Sequence, residues 1–353
     1  MEGWYMRRVF FILLTLVFIL SFFFLDPFRN EKHLQRSRKL KQPAPVTGTV
    51  DVSGSESLQY CVSGNPGGEP VLVLQTDPGL ALPPAVSGLF DRDKFRIITF
   101  LQRGTGMGST ERALAGNNTP ACIDDIERLL DHLNINKVYV AGGFWGAGLA
   151  LLFAQDNPGR VRGMVLWSCF TCTPQEIQNI YGGRAASFFP GAYAELKNAF
   201  PSDSSASLEQ AMLTGLTQKN LQQRDIYAGL WAAYWNKLTH VPGGFDPLAG
   251  LDRAAVYRFA LVENYYMKNR FFLQPGVIMD RMSRIADIPA AIISGRYDVV
   301  SPPATAAAVH AAMPGSKLII LDGKSFWPVS GPFKEAVNRG MGFVCGNEEA
   351  EGW

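Results

Sequence analysis

Few side chains in this 353-residue chain have the types and spacing that chemistry demands. Base catalysis near neutral pH is the province of histidine, and the chain has four: His33, His132, His240 and His310. Cys169 and Cys172 form a lone C-x-x-C with no second Cys or His pair at zinc-finger spacing, so both are read as packing residues and no metal is expected. Five cysteines is an odd and sparse number, which excludes a disulfide scaffold. No cofactor is expected either. Charge narrows the field further. Residues 1–45 carry eight Lys/Arg against three Asp/Glu, while the remainder carries 25 against 28. A mildly acidic body with a short basic run lacks the basic face that a nucleic-acid binder needs, so no nucleic-acid partner is expected.

Any site must be positioned by regular elements, and these are legible. Val9–Leu25 is seventeen residues without a charge, six of them Phe, with Trp4 and Tyr5 just outside. At about 1.5 Å per residue this run is a short but sufficient membrane-spanning helix. It ends Phe22-Phe23-Phe24-Leu25-Asp26-Pro27, with no small-x-small cleavage site, so it reads as a retained anchor in a lipid bilayer. Arg7 and Arg8 precede it, and Arg29, Lys32, Arg36, Arg38, Lys39 and Lys41 follow it. The positive-inside rule then predicts a single-pass protein with its large domain in the cytosol, on the endoplasmic reticulum membrane in a eukaryote. The basic run can also lie on anionic headgroups, and Pro43-Ala-Pro45 forms a stiff spacer. Asn117-Asn118-Thr119 is a glycosylation sequon, which would favour a lumenal domain if occupied.

From Val46 onward short β-rich runs alternate with amphipathic segments, the pattern of an α/β domain with a mostly parallel sheet. Thr47–Val52 and Leu58–Val62 read as an opening hairpin. Val71–Leu74, Arg96–Phe100, Lys137–Ala141, Val161–Trp167, Ala290–Ile293 and Leu318–Leu321 are compact apolar runs, as expected of strands covered on both faces. Ile123, Ile126, Leu129, Leu130 and Leu133 repeat at helical spacing, and Pro332–Val344 supplies a closing helix. Residues 169–284 break the alternation and read as an all-helical cap over the strand ends. The predicted organisation is an anchor and linker over 1–45, a first core part over 46–168, the cap over 169–284 and a second core part over 285–353.

Three stretches resemble the proline iminopeptidase family of α/β-hydrolase-fold aminopeptidases. Gln102-Arg-Gly-Thr-Gly106 is similar to that family's QRGxG loop, Gly142-Gly-Phe-Trp-Gly146 to its GGSWG nucleophile elbow, and Glu263-Asn-Tyr-Tyr266 to its ENHYF segment. The resemblance covers roughly residues 55–345 in the family's order. It implies an α/β-hydrolase fold with a helical cap, and it marks the places where a Ser-acid-His triad would stand. The elbow of that fold needs small residues two before and two after the nucleophile. Gly142 and Gly146 supply them, yet the tip is Phe144, which has no nucleophilic atom. Asp298 in Gly295-Arg-Tyr-Asp298 matches the acid. The histidine place reads Gly323-Lys324-Ser325, with Lys324 where the base should be. His310 precedes that loop on a helix over Ala304–Met313 and is read as a packing residue, and neither Ser109 nor Ser325 has a histidine beside it.

Substrate-side positions diverge as well. The HGGPG loop that helps build the family's oxyanion hole appears as Gln75-Thr-Asp-Pro-Gly79. Glu263 matches one acid for a substrate amino group, and the second, in a W-E segment, is replaced at Trp235-Asn236. The positions expected to line a ligand site are therefore Gln75, Trp145, Trp235, Asn236, Glu263 and Tyr266. Losing serine or histidine from a triad costs about 10⁶-fold in rate, so a working serine hydrolase is not expected. One expectation is a repurposed, membrane-tethered fold that binds or shapes an apolar small molecule, for instance for ring closure in natural-product biosynthesis beside a membrane-bound oxidase. The alternatives are a non-catalytic scaffold and a residual aminopeptidase with another nucleophile. An open apolar pocket under the cap would favour the first, a filled one the scaffold.

Overall fold

The computed structural model describes residues 43–53, 56–106, 110–200, 206–240, 246–323 and 331–346. The Val9–Leu25 run, Ser109, Lys324 and Ser325 lie outside them. Among the described residues eight strands form one sheet: β1 (Val46–Val52), β2 (Glu56–Gly64), β3 (Glu69–Val73), β4 (Phe95–Phe100), β5 (Val138–Phe144), β6 (Val161–Cys169), β7 (Ala290–Gly295) and β8 (Ser316–Leu321). Their spatial order is β1-β2-β4-β3-β5-β6-β7-β8. β1 pairs antiparallel with β2 in the expected hairpin, with Val50 opposite Leu58, and β2 pairs antiparallel with β4. Every later pairing is parallel. The α/β-hydrolase fold with a mostly parallel sheet is thus present.

Among the described residues the helices are α1 (Pro84–Ser87), α2 (Thr110–Leu114), α3 (Thr119–His132), α4 (Trp145–Asp156), α5 (Pro174–Ile180), α6 (Gly183–Phe188), α7 (Pro190–Asn198), α8 (Leu208–Thr217), α9 (Leu221–Thr239), α10 (Arg253–Lys268), α11 (Val277–Asp280), α12 (Pro303–Ala311) and α13 (Gly331–Val344). Side-chain alternation explains why the inner strands read as unbroken apolar runs. In β3, Val71 and Val73 join one core with Trp167, Ile293 and the α13 residues Phe333 and Val337, while Leu72 joins the other with α3 and α4. A strand packed on both faces has no position left for a polar residue.

Helix α3 starts where the sequence punctuates it. The Asn118 side chain accepts the Ala121 N–H as an N-cap, Pro120 occupies the first turn, and Ile123, Ile126, Leu129 and Leu130 are buried. Asn117 just before it is 1 % exposed, and its Nδ2 donates to the carbonyls of Arg103 and Ala113. A glycan on that nitrogen is incompatible with these bonds, so the sequon is no guide to topology. His310 lies on α12 with Nδ1 2.7 Å from Ser316 Oγ, a packing role, and His132 Nε2 meets Tyr60 OH at 3.2 Å.

Candidate functional site

The carboxyl ends of the parallel strands carry the candidate site. Phe144 closes β5 and is followed at once by α4, the strand-to-helix turn of a nucleophile elbow. Its backbone sits at φ 47° and ψ −115°, a conformation that strains any residue with a Cβ. The turn closes only because its flanks are bare. A Cβ on Gly142 would lie 2.7 Å from the Gly146 backbone, and one on Gly146 would lie 2.6 Å from the Gln75 carbonyl oxygen. The turn has the geometry of a nucleophile elbow and carries phenylalanine at its tip.

The backbone donor beside the elbow tip is engaged as well. In this fold the backbone N–H after the nucleophile supplies one donor. Here the Trp145 N–H donates to the Thr76 carbonyl at 3.1 Å. Gln75, a predicted lining residue, is spent on structure: Nε2 donates to the Leu80 carbonyl at 2.6 Å, and Oε1 accepts from the Gln102 N–H at 2.7 Å and Thr105 Oγ1 at 3.2 Å. Trp145 Nε1 donates to Gln102 Oε1 at 3.1 Å. These bonds tie the loop after β3, the QRGTG loop and the elbow into one rigid block.

An aromatic cluster fills the space in front of the elbow. Phe144 is fully buried, its ring centroid 4.3 Å from Phe170 and 5.4 Å from Trp235. Phe271 packs on Phe170 and Trp145, and Tyr266 on Trp145 and Phe271. Arg270, Phe271 and Phe272 all have positive φ, so the turn that inserts Phe271 is strained like the elbow it meets. The Tyr266 hydroxyl donates to Asn117 Oδ1 at 2.6 Å and is therefore committed to the core. Asn236 is half-buried on α9, one residue past Trp235.

Asp298 stands just past the end of β7, where the resemblance places the family's acid, and is held by donors on both oxygens. Oδ2 accepts from Ser168 Oγ at 2.7 Å, and Oδ1 accepts from the N–H groups of Val300 and Ser301 at 3.0 and 2.8 Å. Its lone pairs thus have donors before Lys324, which lies outside the described residues, is considered. Cys169 and Cys172 are free, buried thiols: burial, then the nearby Glu176 charge, pushes the first up to about 12 and the second well above the ordinary range. Such thiols are inert.

One acid at this site was not singled out from the sequence. Asp77, in the loop after β3, is fully buried and faces Glu263 of α10 and the Trp235 indole. Burial pushes its carboxyl up to about 8, with the contacts to Glu263 and Trp235 pulling the other way. Glu263 is raised well above the carboxylate range, first by burial and then by the Asp77 charge, against a 2.6 Å bond from Trp231 Nε1 to its Oε2. An acid set directly behind the apolar Val71–Leu74 strand was the available signal. Its partner could come only from the tertiary fold.

A family model for the alpha/beta hydrolase fold matches residues 50–329. The chain is 35 % identical over 279 residues to a probable proline iminopeptidase of Leptolyngbya boryana, covering 78 % of this chain and 86 % of that one. It is 33 % identical over 279 residues to a proline iminopeptidase of Arabidopsis thaliana, covering 78 % and 73 %. The solved proline iminopeptidase of Mycobacterium smegmatis superposes with a TM-score of 0.56 at 16 % identity, over 86 % of this chain and 100 % of that one, a likeness of fold alone.

Proposed function

We propose that this chain, which belongs to the proline iminopeptidase family of the α/β-hydrolase superfamily, is a non-hydrolytic member that holds an apolar small molecule against the aromatic face of its former active site. The observation that carries the first half is the elbow itself. Phe144 offers no nucleophile, and the Trp145 N–H that would stabilise an oxyanion is already donating to Thr76. What supports the second half is retained strain. Phe144 and the Arg270–Phe272 turn each hold costly backbone conformations, and together they aim aromatic rings at one place. Position and orientation alone supply large rate factors to a substrate that reacts within itself, so a shaping role needs no triad. The Val9–Leu25 anchor would deliver such a ligand from the bilayer.

Two observations favour other readings. Phe144 has no solvent exposure, which suits a scaffold whose site is permanently filled. The relatives, by name, are peptidases. The decisive measurement is turnover of proline 4-nitroanilide and of simple 4-nitrophenyl esters by the purified chain. No rate above background and no labelling by a fluorophosphonate is the expected result. Turnover that a fluorophosphonate abolishes would overturn the proposal and restore the peptidase.

A further inference from the structure

We propose that the acidic segment 347–353 folds back along α13 and seats Trp353 in the groove between that helix and the turn leading into β4, where Lys94 and Lys334 receive its glutamates. The groove encloses about 510 Å³, within the range of ligand pockets. Leu89, Phe90, Phe95 and Met341 form its apolar floor, and Lys94, Lys334 and Asn338 stand on its rim. Phe95 opens β4, whereas Phe144 closes β5, and both strands run parallel to β3. The groove therefore lies at the opposite end of the sheet from the elbow, and the inference does not depend on what the elbow binds.

The cations on the rim are available. Lys334 makes no ion pair among the described residues, and Lys94 has only the solvent-exposed Asp91 at 3.7 Å, a contact worth little in water. Asp91 is the one acid lining the groove among the described residues. Residues 347–353 read Asn-Glu-Glu-Ala-Glu-Gly-Trp, three carboxylates and one large aromatic with no cation. Such a segment complements two lysines around an apolar floor. The glutamates supply orientation, and burial of the indole supplies most of the attachment.

The chain is delivered to the groove by the helix that lines it. Met341 and Gly342 border the groove, and Gly346, one turn further on, has φ 71° with its N–H donating to the Phe343 carbonyl at 3.0 Å. A left-handed glycine at a helix end turns the chain off the helix axis. Lys334 lies twelve residues back from Gly346, about 18 Å along the helix. Seven extended residues span about 23 Å, so the segment reaches Lys334 with length left for the turn.

Hydrogen exchange on the full chain tests this. The amides of residues 349–353 should exchange about tenfold more slowly than their unprotected rate. Lys94→Glu with Lys334→Glu should abolish that protection, and adding Glu348→Lys, Glu349→Lys and Glu351→Lys should restore it. Trp353→Ala should abolish it with both lysines in place. Lys94 and Lys334 are exposed, so their replacement leaves folding intact. Unprotected exchange in the wild type would overturn the proposal. Protection that survives the lysine reversal would put the segment elsewhere and equally sink it. Protection lost on dilution would assign the groove to a second copy of the chain, which also refutes folding back in one molecule.

Discussion

Phe144 stands at the tip of a strand-to-helix turn that has the backbone of a nucleophile elbow. The elbow keeps φ 47°, the bare Gly142 and Gly146 flanks and the position at the strand end, and its tip carries a phenyl ring with no nucleophilic atom. Phe144→Ser alone should restore no hydrolysis, because triad members act as a unit and the Trp145 N–H remains bonded to Thr76. The fluorophosphonate and nitroanilide assays read this directly. Phe144→Ala should lower the unfolding free energy by about 3 kcal/mol, the usual penalty for emptying a buried aromatic position. Phe144→Leu should cost less, and urea denaturation separates the two. Equal and negligible losses would mean that the ring is not packed as described against Phe170 and Trp235.

The turn between β5 and α4 depends on contacts made by another element, the loop after β3. Gly146→Ala would place a methyl 2.6 Å from the Gln75 carbonyl oxygen, which cannot retreat because Gln75 is anchored to Leu80 and Gln102. A loss of roughly 2–3 kcal/mol is expected, in the range of overpacked cores. A melting temperature equal to that of the wild type would refute the tight block inferred here. The cap helices show the same dependence. α10 buries Val262, Glu263 and Tyr266, whose partners lie in two separate core loops: Gly79 and Asp77 in the loop after β3, and Asn117 before α3.

For the whole molecule the buried acids set the pH response. Asp77 and Glu263 are raised mainly by burial, as is Asp125 despite its bonds to Arg103. Groups of this kind stabilise the fold most below their ordinary values and progressively less as pH climbs. The urea midpoint should therefore be lower at pH 8 than at pH 5, and the difference should shrink in the Asp77→Asn, Glu263→Gln double variant. A midpoint that rises with pH would contradict this. Membrane attachment belongs to the same scale. The proposal that Val9–Leu25 anchors the chain predicts that the full chain resists carbonate extraction and that residues 43–353 alone do not. Protease added to sealed microsomes should degrade the domain, and a protected domain would reverse the orientation expected from the six trailing cations.

The sequence by itself determined the sheet, because strands buried on both faces leave continuous apolar runs such as Val71–Leu74 and Ala290–Ile293 that nothing else explains. It also puts phenylalanine at the elbow tip, since the elbow is a local motif whose residue types can be read one by one. Three matters required the tertiary structure. The Trp145 N–H is spent because the loop after β3 runs beside the elbow, a proximity of residues about seventy apart in the chain that no local pattern encodes. Asn117 looks like an accessible sequon until its amide is seen donating to two carbonyls in the interior. Asp77 looks like a loop acid until Glu263, from a helix far along the chain, is buried beside it. Burial and partnership are properties of distance in space, and they decide which of a protein's polar groups carry charge.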